Sequence, residues 1–323
     1  MPRILHIALS SLLLTAATST GACTPESSVE PTFTPPRQPA PIPQPEPTPP
    51  PSESGNGNIV DPTLVLADNT PVVPGGPMTL VWSDEFDGES LDPETWFFES
   101  GDGSQYGIPG WGNGEFQWYL RESSELVDGN LVITARREAA GGLDYTSGRL
   151  HTRDRFAVRY GRIEARMRLP AGQGLWPAFW LLPQDDVYGG WAASGEIDIM
   201  EAVNLEGTGG NEVHGTLHYG GSWPDNTFTG QGYAVPTRAS TEFHVYAIEW
   251  DETEFRWYVD DVLYSSQDTW YSSNGAFPAP FDQPFYILFN VAVGGNWPGP
   301  PSADTVFPVT MAVDYVRVYS GAP

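Results

Sequence analysis

Residues 160–169 read YGRIEARMRL, with Ile163, Ala165, Met167 and Leu169 alternating with Arg162, Glu164, Arg166 and Arg168. Successive side chains on a strand point to opposite faces, so this period of two specifies a half-buried antiparallel strand. Similar runs recur at 130–136 (NLVITAR), 214–219, 245–250, 255–259, 286–293 and 309–319, separated by Gly, Asp and Pro turns at short spacing. No amphipathic helix of useful length competes with them. The pattern predicts an all-β domain, a jelly-roll β-sandwich of two curved antiparallel sheets.

At 323 residues the chain holds one large β domain and additional segments. Residues 77–323 form the expected domain and carry all twelve tryptophans, with 59–76 as a lead-in. Residues 1–22 read as an export signal. Met1, Pro2 and Arg3 precede an apolar run over 4–17 that is too short and too interrupted to span a membrane as a helix. Thr20, Gly21, Ala22 and Cys23 are similar to a bacterial lipoprotein cleavage box, with Thr where such boxes usually carry Leu. Cys23 is the only cysteine, so no disulfide forms within a monomer and lipidation gives this thiol a purpose. Ordinary cleavage after Ala22, leaving a free thiol, is the alternative. Residues 23–58 are dominated by Pro, Glu, Ser and Gln, a composition that favours extended spacers. The expectation is an exported monomer on a bacterial cell envelope or surface, held to the membrane only through a lipid anchor, or else secreted.

The formal charge is −26, from 41 acidic residues against 15 Arg and no Lys. So acidic a chain repels nucleic acid and sulfated or uronic polysaccharides, and is compatible with neutral sugar polymers. Without Lys, Schiff-base chemistry is excluded. Neither a strong metal-ligand cluster among the five His nor a Gly-rich phosphate loop is present.

The chemistry concentrates in residues 195–204, GEIDIMEAVN. Three carboxylates, Glu196, Asp198 and Glu201, fall within six positions of an otherwise apolar strand, which is costly unless something uses them. In a regular strand Glu196 and Asp198 share a face and Glu201 points away. One extra residue near Ile199 and Met200, a β-bulge, would return Glu201 to that face. Two Glu flanking a bond suit retaining glycoside hydrolysis, one as nucleophile and one as general acid/base. Asp198, lying between them, would share a proton with the nucleophile and help hold the neighbouring pKa values apart. Along 174–183 (GLWPAFWLLP), Trp176, Ala178 and Trp180 share one face and Leu175, Phe179 and Leu181 the other, which offers flat indole rings to the apolar faces of sugars.

GEIDIME, together with GWGNGEFQWY (110–119), YTSGRLHT (145–152), GLWPAFWLLP, HGTLHYGG (214–221), NVAVGGNWPG (290–299) and VDYVRVY (313–319), resembles glycoside hydrolase family 16, and within it bacterial laminarinases. The resemblance covers about residues 81–319. It implies a concanavalin-like jelly roll and a retaining endo-β-1,3-glucanase acting on neutral β-glucan without a catalytic cofactor. A mixed-linkage β-1,3-1,4-glucanase and a non-catalytic glucan-binding module of the same fold are the alternatives. It also implies Glu196 as nucleophile, Asp198 as electrostatic helper and Glu201 as acid/base. Trp176 and Trp180 would border the sugar next to the cut, Asn113 and Arg149 would hydrogen-bond the glycone side, and His218 would lie near the acid/base. Gln117 and Trp297 are further cleft contacts. A structural calcium is implied on Glu85, the carbonyl of Gly129 and Asp314.

Overall fold

The computed structural model describes Met78–Ser320 and the backbone of the short strand Val65–Leu66. The export signal, Cys23 and the Pro-rich spacer lie outside the described residues, as does most of the lead-in.

Two antiparallel sheets build the domain. One has the order Val262–Gln267, Phe255–Val259, His244–Trp250, Gly161–Arg168, Val309–Ser320, Asn130–Ala135 and Ser124–Val127, with Thr79–Asp84 also paired to Val309–Ser320. The other runs Asn226–Ala234, Glu212–Gly220, Glu196–Glu201, Leu175–Pro183, Phe285–Val293, Arg149–His151 and Phe97–Phe98. Neighbours such as Gly161–Arg168 and Val309–Ser320 are far apart in sequence, the crossing pattern of a jelly roll. The strands expected from alternation are present with ends shifted by a residue or two, and the only helices among the described residues are short 3-10 turns.

The core lies between the two sheets. Phe179, Leu181, Ile197 and Met200 enter it from the second sheet, and Ile163, Ala165, Met167, Val316 and Val318 from the first, all fully buried. At about 1.5–3 kcal/mol for each large apolar side chain removed from water, such pairs set which face of each strand points inward. Slipping one strand by a residue would turn its whole apolar set outward.

Two strands depart from simple alternation. Arg162 and Glu164 occupy the outer face of Gly161–Arg168 and yet are buried, because Arg162 bonds Glu164 at 2.7 Å, Glu249 at 3.2 Å and Asp261 at 2.8 Å in an ion-pair lattice over the sheet. Phe285–Val293 is buried at every position. Its odd-numbered residues face the core, while Tyr286 and Leu288 pack with Ala157, Trp180 and Leu182 in a second, smaller apolar cluster.

Candidate active site

Glu196–Glu201 lies between Leu175–Pro183 and Glu212–Gly220, and its register changes within six residues. Asp198 pairs with Trp180 and Met200 with Phe179, so Ile199 is an extra residue with no counterpart on that neighbour. On the other side Asp198 stands opposite Thr216 and Glu201 opposite His214. Ile199 and Met200 are therefore both buried in the core, and Glu201 returns to the face of Glu196 and Asp198. The bulge expected from the spacing is present. A bulge interrupts the ladder, and the Asp198 carbonyl takes its donor from across the core, the indole N–H of Trp257 in the opposite sheet at 2.9 Å. Just before the strand, Gly195 sits at φ 88° with no room for a β-carbon, which would come within 2.8 Å of the Phe281 ring.

Paired residues on adjacent strands share a face, so the register draws rows across the sheet. One row runs Thr216, Asp198, Trp180; the next runs His214, Glu201, Ala178, Asn290, Arg149. A polymer lying along these rows crosses the strands and passes over the acids.

Each glutamate is held by an indole. Trp191 Nε1 donates to Glu196 Oε2 at 2.8 Å, and Trp176 Nε1 donates to Glu201 Oε1 at 3.0 Å. Between them His218 Nε2 lies 3.3 Å from Asp198 Oδ2 and 3.7 Å from Glu196 Oε1.

Burial and the charge of Asp198 push Glu196 up to about 7, against the lowering effects of His218, the Trp191 N–H and Arg149. Burial and Asp198 raise Glu201 well above the usual carboxylate range, and the charge of Glu196 contributes to that rise. Glu196 therefore ionises first and Glu201 keeps its proton, the division of labour that acid-plus-nucleophile chemistry needs. Burial works against a charged His218, but its bond to Asp198 and the surrounding glutamates outweigh it and raise the imidazole to about 9. At neutral pH an imidazolium therefore lies against Asp198 in the middle of the site.

Beside the acids stands a polar wall. The Arg149 guanidinium is ion-paired with Glu99 and lies between the rings of Trp111, 4.5 Å away, and Trp180, 4.9 Å away. A chain of hydrogen bonds runs from Trp180 Nε1 to Asn290 Oδ1 (2.8 Å), from Asn290 to the Tyr119 hydroxyl (3.3 Å) and from that hydroxyl to Glu115 (3.1 Å). Glu115, raised by burial, also accepts from Gln117 at 2.6 Å and from Asn113 at 3.2 Å. Asn113 and Arg149, the two residues expected on the glycone side, both belong to this wall.

Gln117 does not. It is fully buried, with its amide N–H spent on Glu115 and its oxygen on the Val293 backbone N–H at 2.7 Å, so it braces the wall from behind and is not a cleft contact. Trp297 is exposed and packs edge-on against Trp176 at 5.4 Å and His214 at 5.2 Å, at the Glu201 end of the site.

The expected calcium set does not fit a cation as arranged. Pairing brings the segments of Glu85, Gly129 and Asp314 together near the middle of Val309–Ser320. Glu85, however, holds Arg317 through both oxygens at 2.9 and 2.8 Å, and Asp314 holds Arg166 at 2.7 Å, so guanidinium groups already neutralise both carboxylates.

Trp191, Trp257, Glu99, Glu115 and Asn290 are not singled out by the sequence reading. Glu115, a charge inside the aromatic GWGNGEFQWY string, carried a readable signal. Trp191 stands only five residues before Glu196, whereas Trp257, Glu99 and Asn290 are joined to the site by contacts between distant segments.

A sandwich whose face gathers two indole-held glutamates with Asp198 and His218 between them, beside an Arg–aromatic wall, has the makings of a glycoside hydrolase. Residues 112–317 match the profile of glycosyl hydrolases family 16, and the chain belongs to this family. It is 42% identical over 270 residues to the glucan endo-1,3-beta-glucosidase A1 of Niallia circulans, covering 77% of this chain and 38% of that protein. It is 46% identical over 257 residues to the beta-glucanase of Rhodothermus marinus, covering 74% of this chain and 84% of that one. Among solved structures, the laminarinase catalytic domain of Thermotoga maritima superposes with a TM-score of 0.68 at 42% identity, covering 77% of this chain and 100% of that one.

Proposed function

We propose that this chain is a retaining endo-β-1,3-glucanase. The observation that carries the reading is the bulge at Ile199, which brings Glu196 and Glu201 to one face with an indole N–H on each, in surroundings whose burial raises Glu201 well above the carboxylate range. Glu196 attacks the anomeric carbon while Glu201 gives its proton to the glycosidic oxygen. The C–O bond breaks, one sugar leaves with a new hydroxyl, and a glycosyl ester forms on Glu196. Glu201, now a carboxylate, takes a proton from water as that water attacks the anomeric carbon. The ester opens and the product keeps its β configuration. His218 and Asp198 form a fixed charge pair beside this exchange, and Arg149 with Asn113 orients the glycone hydroxyls by directed donors.

A non-catalytic glucan-binding module is the rival reading. Binding alone gains nothing from a carboxyl kept protonated by burial, which favours the enzyme. The export-like segment at 1–22 and Cys23 support an exported, lipid-anchored protein on the cell envelope. Incubation with laminarin, lichenan, agarose and carrageenan, with products separated by size and their anomers followed by NMR, tests the proposal. Intermediate β-configured oligomers from laminarin are expected. Release of α-anomers first, or no cleavage of laminarin, would reject it.

A further inference from the structure

The register of the acid strand also assembles a donor set that no single strand carries. His218, on the neighbouring strand, stands opposite Glu196, and its imidazole faces both carboxylates of the pair Glu196 and Asp198. Glu196, Asp198 and His218 each offer one ligand atom, and the three atoms lie within 4.8 Å of one another. His218 Nε2 is 3.3 Å from Asp198 Oδ2 and 3.7 Å from Glu196 Oε1. A four-coordinate zinc with bonds of about 2.0–2.2 Å needs its donors about 3.3–3.6 Å apart along each edge of the tetrahedron. Two such edges are nearly in place.

Two further observations point to a ligand there. Asp198 is only 2% exposed, yet its Oδ2 accepts no hydrogen bond of good geometry. A buried carboxylate oxygen left that way is costly, and a cation is one of the few partners that satisfies it. The Glu196 carboxylate is divided between two tasks: Oε2 is held by the Trp191 indole at 2.8 Å, while Oε1 turns toward His218. Outer hydrogen bonds of that kind orient the carboxylates that ligate metals. The side chains of His218 and Glu196 keep 21% and 13% of their surface exposed, which leaves a way in from the groove and a fourth position for water.

We propose that Glu196, Asp198 and His218 form an inhibitory site for a borderline divalent cation such as Zn²⁺, taken up from solution and masking the nucleophile. One imidazole nitrogen with two carboxylates favours zinc, copper(II) or nickel(II) over calcium and magnesium, which prefer shells made of oxygen alone. As the bond from Nε2 to the metal forms, the proton on Nε2 leaves to solvent and a lone pair of Glu196 Oε1 is committed to the ion. The guanidinium groups on Glu85 and Asp314 cannot make that exchange, because Arg keeps its protons; an imidazole can. Inhibition rests on the hydrolase reading, in which Glu196 attacks the sugar, whereas binding of the metal does not.

The test titrates the full-length protein at pH 8 with Zn²⁺ by calorimetry, and with Co²⁺ as a visible-absorbing probe of the same site. One equivalent should bind to the parent. His218→Ala and Asp198→Asn should each weaken that binding by at least about a hundredfold, while Glu201→Gln, whose side chain is outside the donor set, should bind as the parent does. Ca²⁺ and Mg²⁺ should not compete. In the parent itself zinc should shift the imidazole nitrogen resonances of one of the five histidines, a reading that needs no variant. Laminarin hydrolysis should fall as zinc is added and return with EDTA. Absence of the histidine shift, or undiminished binding in His218→Ala, would overturn the site, and full cleavage by the zinc-saturated protein would overturn its inhibitory role. Binding as expected in a chain that cuts no laminarin even without zinc would leave the metal site standing and reject the hydrolase reading.

Discussion

His218 Nε2 lies 3.3 Å from Asp198 Oδ2, an imidazolium against a buried carboxylate at the centre of the acid strand. The pair sets the charge balance of the glutamates on either side, because the positive ring lowers the pKa of both and the negative carboxylate raises both.

The pH profile of kcat/KM follows from that balance. Activity needs Glu196 ionised, so it should fall as pH drops through about 7, well above the range of an ordinary carboxylate. His218→Ala removes a charge that favours the ionised form, and its acid limb should move to higher pH. A limb that stays in place or moves down in this variant would contradict the coupling.

Among the acids, Glu196→Ala and Glu201→Ala should each cost several orders of magnitude in turnover with little loss of folding. Asp198→Asn should cost less than either, since Asp198 makes or breaks no bond to the sugar. Initial rates on laminarin check the ranking, and a larger loss in Asp198→Asn would remove it from a helper's role.

Stability should carry an opposite signature. The folded-state pKa of Glu201 is raised, so its contribution is complete below the ordinary carboxylate pKa and is lost as pH rises through the higher folded value. Glu201→Gln escapes that loss. Its Tm should match the parent near pH 4 and exceed it at pH 8, as calorimetry at the two pH values would record.

Trp257→Phe keeps most of the buried ring and deletes the N–H that satisfies the Asp198 carbonyl. Leaving that oxygen unpaired should cost about 1–3 kcal/mol in denaturant unfolding and lower kcat more than KM, because the bulge that aims Glu201 loosens. An unchanged kcat would show that the bulge holds without its donor.

With Arg317 and Arg166 occupying the carboxylates of Glu85 and Asp314, a chelator should leave Tm unchanged. A clear drop in Tm with EDTA, restored by calcium, would mean that the ion displaces both guanidinium groups.

Much of this site was legible along the chain. The six-residue spacing of Glu196, Asp198 and Glu201 needs one extra residue to bring all three to a face, and the structure puts it at Ile199. The alternation in 174–183 separates Trp176 and Trp180 from Phe179 and Leu181, as found. Gln117 is the instructive failure. Its string predicts a cleft residue, yet Glu115 and the Val293 backbone, 176 positions away in the second case, claim its side chain and bury it. Arg162 and Glu164, polar by pattern and buried in fact, fail for the same reason.

What the sequence determined by itself is therefore whatever depends on the period of one strand: the all-β class, the inward face of each strand, and the convergence of three acids through a single inserted residue. Tertiary structure alone decided the pairing of Arg149 with Glu99, the bond from Trp180 to Asn290, and the donor that Trp257 extends from the opposite sheet. Side-chain alternation is a local property of the backbone. Register between strands, and with it every one of these partners, is fixed only when distant apolar faces close on a shared core.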